Sequence, residues 1–270
     1  MDLNSIAYIF NRALAHTLSK KKLLLVSSLL ALSGLLIVFF QGLALHAGAW
    51  VQLSLTFLPI YVSTGVLLSL GILLIRIYHN EVKQREENYL SVLADSWEMI
   101  IGVSYFAIPI ILCYLLLWIL LGVFVLVDET PIIGDFFSII LSFVPFIIHL
   151  STLLLCLVGL ALLFYVAPVI ALKELSRKAI FQTVARRLEK DPFSNLLLMA
   201  ISLIPLAVIV CLLTLAAYLS NSFCTDCQTP VKMTLRWFFM MIPFAFCLAP
   251  GVIFFFNFAA EAHVLKRLEN

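Results

Sequence analysis

Charged residues are scarce in this 270-residue chain, at 12% of the total, or about half of the fraction that soluble domains carry. Apolar residues make up 63%, and a water-soluble fold of this length cannot bury so much apolar surface. The composition therefore excludes an ordinary soluble domain and makes the bilayer the solvent for most of the chain. The net charge of +2, without a basic stripe interleaved with aromatic residues, also argues against nucleic-acid binding.

Catalytic motifs are missing as well. The sequence contains no Walker A motif, no G-x-G-x-x-G, no G-x-S-x-G and no H-E-x-x-H. No apolar stretch carries an Asp, Glu, Lys or Arg near its middle, as the carboxylate relay of a proton-coupled transporter would require. We therefore expect a non-enzymatic protein that uses no metal or other cofactor.

Long apolar stretches are what the sequence has instead. A helix that crosses a bilayer needs about 20 mostly apolar residues, and six stretches qualify, near residues 23–45, 53–77, 99–127, 136–172, 193–219 and 235–260. The fourth is longer than a bilayer requires, so we expect it to tilt, to bend near Pro145 or to leave the membrane before Pro168. The predicted fold is an all-α polytopic membrane protein, one membrane domain over residues 1–270 with six transmembrane helices in three hairpins.

The basic residues predict an orientation. With six spans, 15 of the 17 Lys and Arg residues lie on the same side as the N-terminus, and only Lys232 and Arg236 lie on the other side. Loops rich in Lys and Arg stay in the cytoplasm. Both termini are therefore predicted to be cytoplasmic.

Each predicted hairpin follows a segment with the apolar periodicity of an amphipathic helix, at residues 3–17, 89–97 and 172–190. We expect these segments to lie on the cytoplasmic leaflet as interfacial helices. The pattern predicts three copies of one unit, at residues 1–80, 81–172 and 173–270. Chance similarity in a sequence of low complexity is the alternative.

The third amphipathic segment is the most basic. Its polar face carries Lys173, Arg177, Lys178, Arg186, Arg187 and Lys190. A base near an anionic membrane surface contributes about 1 kcal/mol of binding, so these six side chains are candidates for contact with anionic lipid. The alternative is that they only fix the orientation of the protein. Membrane lipids, anionic lipids among them, are the expected partners, and the sequence identifies no protein partner.

Few polar side chains interrupt the spans. His149 in the fourth span and Asn257 in the sixth are candidates for a shared polar pocket, and the alternative is that each bonds to a neighbouring helix. Prolines at five positions within the spans remove backbone hydrogen bonds and bend helices. Bent helices either open a lateral groove for lipid or serve packing alone. These prolines are Pro109, Pro145, Pro205, Pro243 and Pro250.

Two of the six cysteines form a C-x-x-C pair, Cys224 and Cys227, in the predicted outer loop between the fifth and sixth spans. In an oxidising compartment they are candidates for a disulfide. Half of a zinc site and a redox-active pair are the alternatives. The redox pair would resemble bacterial disulfide-generating quinone reductases, but those proteins need a second cysteine pair in another outer loop, which is missing here.

One stretch resembles a known family. Residues 165–172 read YVAPVIAL and are followed by a basic amphipathic helix, a short break at DPFSN and another span. This order is similar to a poorly characterised bacterial six-span family that includes the membrane-integral domain of some glycerophosphodiester phosphodiesterases. The order of spans and helices is similar over most of the chain, whereas the amino-acid sequence itself is similar over about 30 residues. It implies an inner-membrane module tied to lipid or envelope metabolism, without the activity of the absent soluble domain.

These observations predict a non-enzymatic protein of a bacterial inner membrane that contacts or moves lipid, or that scaffolds an envelope complex. A small-solute transporter or channel subunit is the alternative. A transporter should contain a polar cavity at mid-membrane, lined by His149, Asn257 and nearby hydroxyls. A lipid-binding protein should contain a groove that opens sideways between bent helices, apolar in its depth and basic at its inner rim. A scaffold should contain neither.

Overall fold

The computed structural model describes residues 3–45, 47–85, 89–128, 130, 143–172, 177–220 and 230–268. These residues form helices and turns, without any strand among them. The helices are α1 (Leu3–Ala15), α2 (Lys20–Ala44), α3 (Ala49–Val82), α4 (Tyr89–Ser104), α5 (Ile108–Asp128), α6 (Val144–Ala161), α7 (Ala167–Leu172), α8 (Arg177–Lys190), α9 (Pro192–Leu219) and α10 (Pro230–Leu268).

Among the described residues, six helical stretches are long and apolar enough to cross a membrane. They are Lys20–Ala44, Trp50–Val82, Ser91–Val127, Phe146–Leu172, Pro192–Leu219 and Val231–Leu265. The protein is therefore an all-α, multi-pass membrane protein, as the apolar runs predict. Three of the six begin or end more than three residues beyond the predicted bounds, because the helices continue into the polar flanks of the apolar runs.

The fourth span is irregular beside Pro168 and not at Pro145. Helix α6 begins at Val144, so Pro145 occupies its first turn. Amide hydrogens of the first turn have no partner within the helix, so a proline there costs no hydrogen bond. A π-helical turn, Leu162–Val166, joins α6 to α7. Pro168 cannot donate a hydrogen bond to the preceding turn, and π-turns are a common way for a helix to absorb such an interruption.

Three helices form the centre of the bundle. Helix α2 contacts both α3 and α10, and the other spanning helices pack around these three: α9 against α10, and α5 and α6 against α3. Outward-facing side chains of α5, α6 and α9 are large and apolar, as in Leu116, Leu153 and Leu212, each more than half exposed. Such surfaces are stable in lipid, where apolar side chains need no cover.

The main core lies at the end of the bundle where α1 meets α10. The rings of Phe10 and Phe254 lie 4.9 Å apart, and Phe254 stacks on Phe258 at 5.8 Å. On the next face of α10, the fully buried Phe256 packs against Gly71 of α3. A β-carbon at position 71 would lie 2.2 Å from Cε1 of Phe256, so only glycine permits this approach of α3 to α10.

Helices occur in all three segments predicted to be amphipathic, as α1, α4 and α8. They join their hairpins differently. A 3₁₀ turn, Tyr105–Ala107, carries α4 directly into α5, whereas Asp191 separates α8 from α9. The superposition of three repeat units, with Pro109 on Pro205, stays a prediction.

Replacement of Gly71 by alanine should lower the free energy of unfolding by about 1–3 kcal/mol, the usual effect of an overpacked core. The matched control is Gly102→Ala, because a β-carbon at position 102 meets nothing within 4 Å. The measurement is thermal unfolding of both variants in the same detergent and lipid. A Gly71→Ala midpoint equal to or above that of Gly102→Ala would contradict the packing described here.

Candidate functional site: a polar cluster and a lateral groove

Lys22 is the most deeply buried charge of the described residues. The side chain is 0% exposed, and its Nζ donates hydrogen bonds to Oε2 of Glu81 at 2.5 Å and to the carbonyl oxygen of His16 at 3.1 Å. Glu81 keeps 28% of its side chain exposed, and Nδ1 of His16 lies 3.7 Å from the same carboxylate oxygen. The pair joins the first turn of α2 to the last turn of α3.

A second carboxylate, Glu261 of α10, lies close to this pair. Its Oε1 accepts a hydrogen bond from the Tyr78 hydroxyl at 2.5 Å and lies 3.4 Å from Nε of Arg12. One turn earlier on α10, Nδ2 of Asn257 donates to the carbonyl oxygen of Ala13 at 3.3 Å. These contacts fix α1 across the ends of α3 and α10.

Arg187 connects a different set of helices. Its guanidinium donates from Nε to Oδ1 of Asn195 at 3.0 Å and from Nη2 to the Ala262 carbonyl at 3.4 Å, and Nη1 lies 3.3 Å from Nδ1 of His263. It also lies 5.4 Å from the centre of the Tyr165 ring, within cation–π range. Burial lowers the pKa of Arg187, but an arginine starts so high that it stays protonated.

Arg76 makes a third connection. Its Nη1 donates to Oγ of Ser96 at 2.9 Å, and its Nε donates to the Ala171 carbonyl at 3.4 Å, so it joins α3 to α4 and α7. We call the end of the bundle that contains Arg76, Arg187 and the Lys22–Glu81 pair the basic end. The contacts described here tie charged or amide groups to other helices. No group of three or more metal-ligating side chains occurs among the described residues.

The six basic side chains of the third amphipathic segment fall into different environments. Arg186 and Lys190 of α8 are exposed, as lipid contact requires, whereas Arg187 is directed into the protein. Lys173 and the side chains of Arg177 and Lys178 lie outside the described residues.

His149 and Asn257 do not share a pocket. His149 is exposed on α6, one residue after Ile148, which packs in a cluster with Trp50 near the start of α3. Asn257 is fully buried beside α1 at the basic end. The two side chains thus lie towards opposite ends of the bundle. Cys224 and Cys227 lie outside the described residues.

A cavity of about 410 Å³ lies among the middle parts of α2, α3, α6 and α10. Ile60 of its wall is 40% exposed on a helix that is long and apolar enough to cross a membrane, and we take this side of the cavity as its rim. Aliphatic and aromatic side chains make up most of its wall, with Ser33, Ser63, Thr64, Tyr61 and Cys156 as its polar members. The apolar and glycine members are Leu30, Gly34, Ile37, Ile60, Leu67, Gly159, Leu160, Leu163, Met241, Phe244, Ala245 and Leu248.

A second cavity, of about 360 Å³, adjoins the first and shares Ile37, Met241 and Phe244 with it. The other lining residues, Val38, Gln41, Trp237 and Met240, belong to the parts of α2 and α10 that are farthest from the basic end. We call the two cavities together the lateral groove. It runs between α2 and α10 from mid-span to the outer part of these helices.

Two hydroxyls of the groove already have partners. Tyr61 donates to the Thr152 carbonyl at 2.7 Å, and Thr64 donates to the Ile60 carbonyl at 3.1 Å. Ser33 and Ser63 differ, because the Oγ of each is buried without a hydrogen-bond partner. An unpaired buried hydroxyl costs about 1–3 kcal/mol. Neither serine can be singled out from the sequence, because serine is common in spans and its hydrogen-bond partners are not visible in a sequence.

No protein family, curated protein or solved structure that was compared with this chain matches it. The lateral groove and the basic end are therefore interpreted from their own geometry.

Replacement of Arg187 by glutamine should lower the free energy of unfolding by about 2 kcal/mol, because hydrogen bonds to a charged group are lost and Asn195 loses a buried donor. Arg186→Gln is the matched control, since an exposed substitution changes stability by no more than about 0.5 kcal/mol. Chemical or thermal unfolding in detergent measures both. Equal loss in the two variants would contradict the inward position of Arg187.

Proposed function

We propose that this protein is a non-enzymatic membrane protein that binds the apolar chain of a lipid in the lateral groove. The observation that carries the proposal is the groove itself: two adjoining cavities with mostly apolar walls and a rim on the lipid-facing surface. Small-molecule sites are concave, about 300–1,000 Å³ in volume, and apolar with a few polar groups. In a bilayer, the molecules that reach such a rim are lipids.

The helix sequence favours a groove at this position. Pro243 lies inside α10 between two wall residues, Met241 and Phe244, and a proline removes a backbone hydrogen bond and bends a helix. Gly159 leaves space on the wall from α6, where an added β-carbon would lie 3.7 Å from Thr64. The transporter alternative has less support, because neither His149 nor Asn257 lines the groove, and its polar lining consists mainly of hydroxyls within a mostly apolar wall. The basic inner rim predicted for a lipid groove is not among the lining residues of either cavity.

For the basic end we propose the cytoplasmic side of a bacterial inner membrane, with both termini there. The segregation of Lys and Arg supports this orientation. Arg186 and Lys190, exposed on α8, are then placed to attract anionic lipid headgroups. The layout that resembles the membrane domain of glycerophosphodiester phosphodiesterases agrees with a role in lipid or envelope metabolism, and scaffolding of an envelope complex is the remaining candidate if the groove binds no lipid.

The Gly159→Leu substitution should fill the first cavity and lower the amount of tightly held lipid about tenfold. This corresponds to a loss of about 1.4 kcal/mol in the free energy of binding. The added β-carbon meets only Thr64, at an ordinary contact distance of 3.7 Å, so we expect the fold to persist. Gly102→Leu is the matched control, because it adds the same volume outside the groove, where a β-carbon meets nothing within 4 Å.

Native mass spectrometry of the two variants from the same cells measures the lipid. Equal lipid retention by Gly159→Leu and Gly102→Leu, with both variants folded, would refute binding in the groove.

The orientation is tested by single cysteines introduced at Arg85, Thr130 and Arg186 in a variant without the six native cysteines. A membrane-impermeant maleimide applied to intact cells should label only position 130. Positions 85 and 186 should react only after the membrane is opened. Protection of position 130 in intact cells, together with labelling of the other two, would reverse the proposed orientation.

A further inference from the structure

Ser33 and Ser63 are exceptional among the hydroxyl residues of their own helices. In α2, Ser27 and Ser28 donate to backbone carbonyls three residues earlier, at 3.1 and 2.8 Å. In α3, Thr56, Thr64 and Ser69 donate to carbonyls four residues earlier, at 2.9–3.1 Å. Ser33 and Ser63 make no such bond, and both line the first cavity of the groove.

Two unpaired buried hydroxyls in one cavity require an explanation, because buried polar groups are nearly always hydrogen-bonded. A serine side chain has three χ1 positions, so both hydroxyls can turn towards a molecule in the cavity. The pair therefore indicates a ligand with hydrogen-bond acceptors.

The depth of the pair restricts the class of ligand. At 1.5 Å per residue, Ser33 lies about 20 Å from the start of α2 at Lys20 and about 17 Å from its end at Ala44. This position is close to the middle of a bilayer, whose hydrocarbon core is about 30 Å thick. The ester carbonyls of a phospholipid lie at the edge of that core, so a plain acyl chain offers no acceptor at this depth.

We propose that the groove binds a lipid quinone, with the ring in the first cavity and the apolar tail in the second. The two ring carbonyls accept hydrogen bonds from Ser33 and Ser63, Tyr61 and Phe244 flank the ring, and the tail lies beside Trp237. The proposal concerns binding and includes no electron transfer. It rests on the proposed function and specifies the lipid that the groove selects.

The test measures quenching of Trp237 fluorescence, taken as the difference between the protein and its Trp237→Phe variant. The probes are decylubiquinone and a phosphatidylcholine with brominated acyl chains. In the Ser33→Ala/Ser63→Ala double variant, decylubiquinone should bind about tenfold more weakly, the loss expected for two neutral hydrogen bonds. The affinity of the double variant for brominated lipid should equal that of the unmodified protein. The matched control, Ser27→Ala/Ser28→Ala, should leave both probes unaffected, because those hydroxyls bond to their own helix.

The outcomes separate the two proposals. Failure of both probes to quench Trp237 in the unmodified protein would refute lipid binding in the groove altogether. Equal decylubiquinone affinity in the unmodified protein and the double variant, with brominated lipid bound, would overturn the quinone inference alone. The ligand-free double variant should unfold at the same temperature as the unmodified protein or higher, since it loses no hydrogen bond. If the double variant does not fold, Ser63→Ala alone should weaken the binding of decylubiquinone about threefold.

Discussion

The buried pair of Lys22 and Glu81 is the contact on which the arrangement of this bundle depends. In lipid, apolar surfaces gain little by associating with each other, so specific polar contacts and close packing must choose which helices meet. A buried lysine is strongly unfavourable without a partner, and the position of Glu81 at the end of α3 therefore fixes the start of α2. Glu261 extends the constraint to α10 through Tyr78. The three central helices of the bundle are thus joined at one end by groups that cannot separate without leaving a charge unpaired.

The two ends of the bundle differ in how tightly their helices pack. At the basic end, residues 163–171 of the fourth span are buried without exception, and glycine at position 71 admits the Phe256 ring to the interior of the bundle. Towards the other end, the same span exposes Leu153 and Leu154 to lipid. The lateral groove lies there beside α2 and α10, which still approach each other closely where Gly34 meets Met241 and where Gly42 meets Thr234. The same helices thus form a dense core at one end and border a groove towards the other.

Hydropathy was sufficient to predict the six spans, since each contains an apolar run longer than the bilayer requires, and the 3.6-residue period was sufficient for α1, α4 and α8. Side-chain direction was not predictable. Arg186 and Arg187 are neighbours with the same charge, yet about 100° of helix rotation places one in the exposed surface and the other against Asn195. His149 was a candidate either for a pocket or for a bond to a neighbouring helix, and it lies on an exposed face of α6. Lys22 and Glu81 are 59 residues apart, and no local pattern connects them.

The polar contacts of the basic end limit the motions that are available to the bundle. Arg76, Arg187 and the Lys22–Glu81 pair hold the basic end to α1, α4, α7, α8 and α9, so a large rocking motion of one half against the other would break several buried contacts at once. Alternating access requires such a motion. Under the proposed function, by contrast, a lipid would reach the groove from the bilayer, and no rearrangement of the basic end would be required. We infer that the groove exchanges its ligand laterally with the membrane, which fits a protein that holds a lipid better than one that carries a solute across.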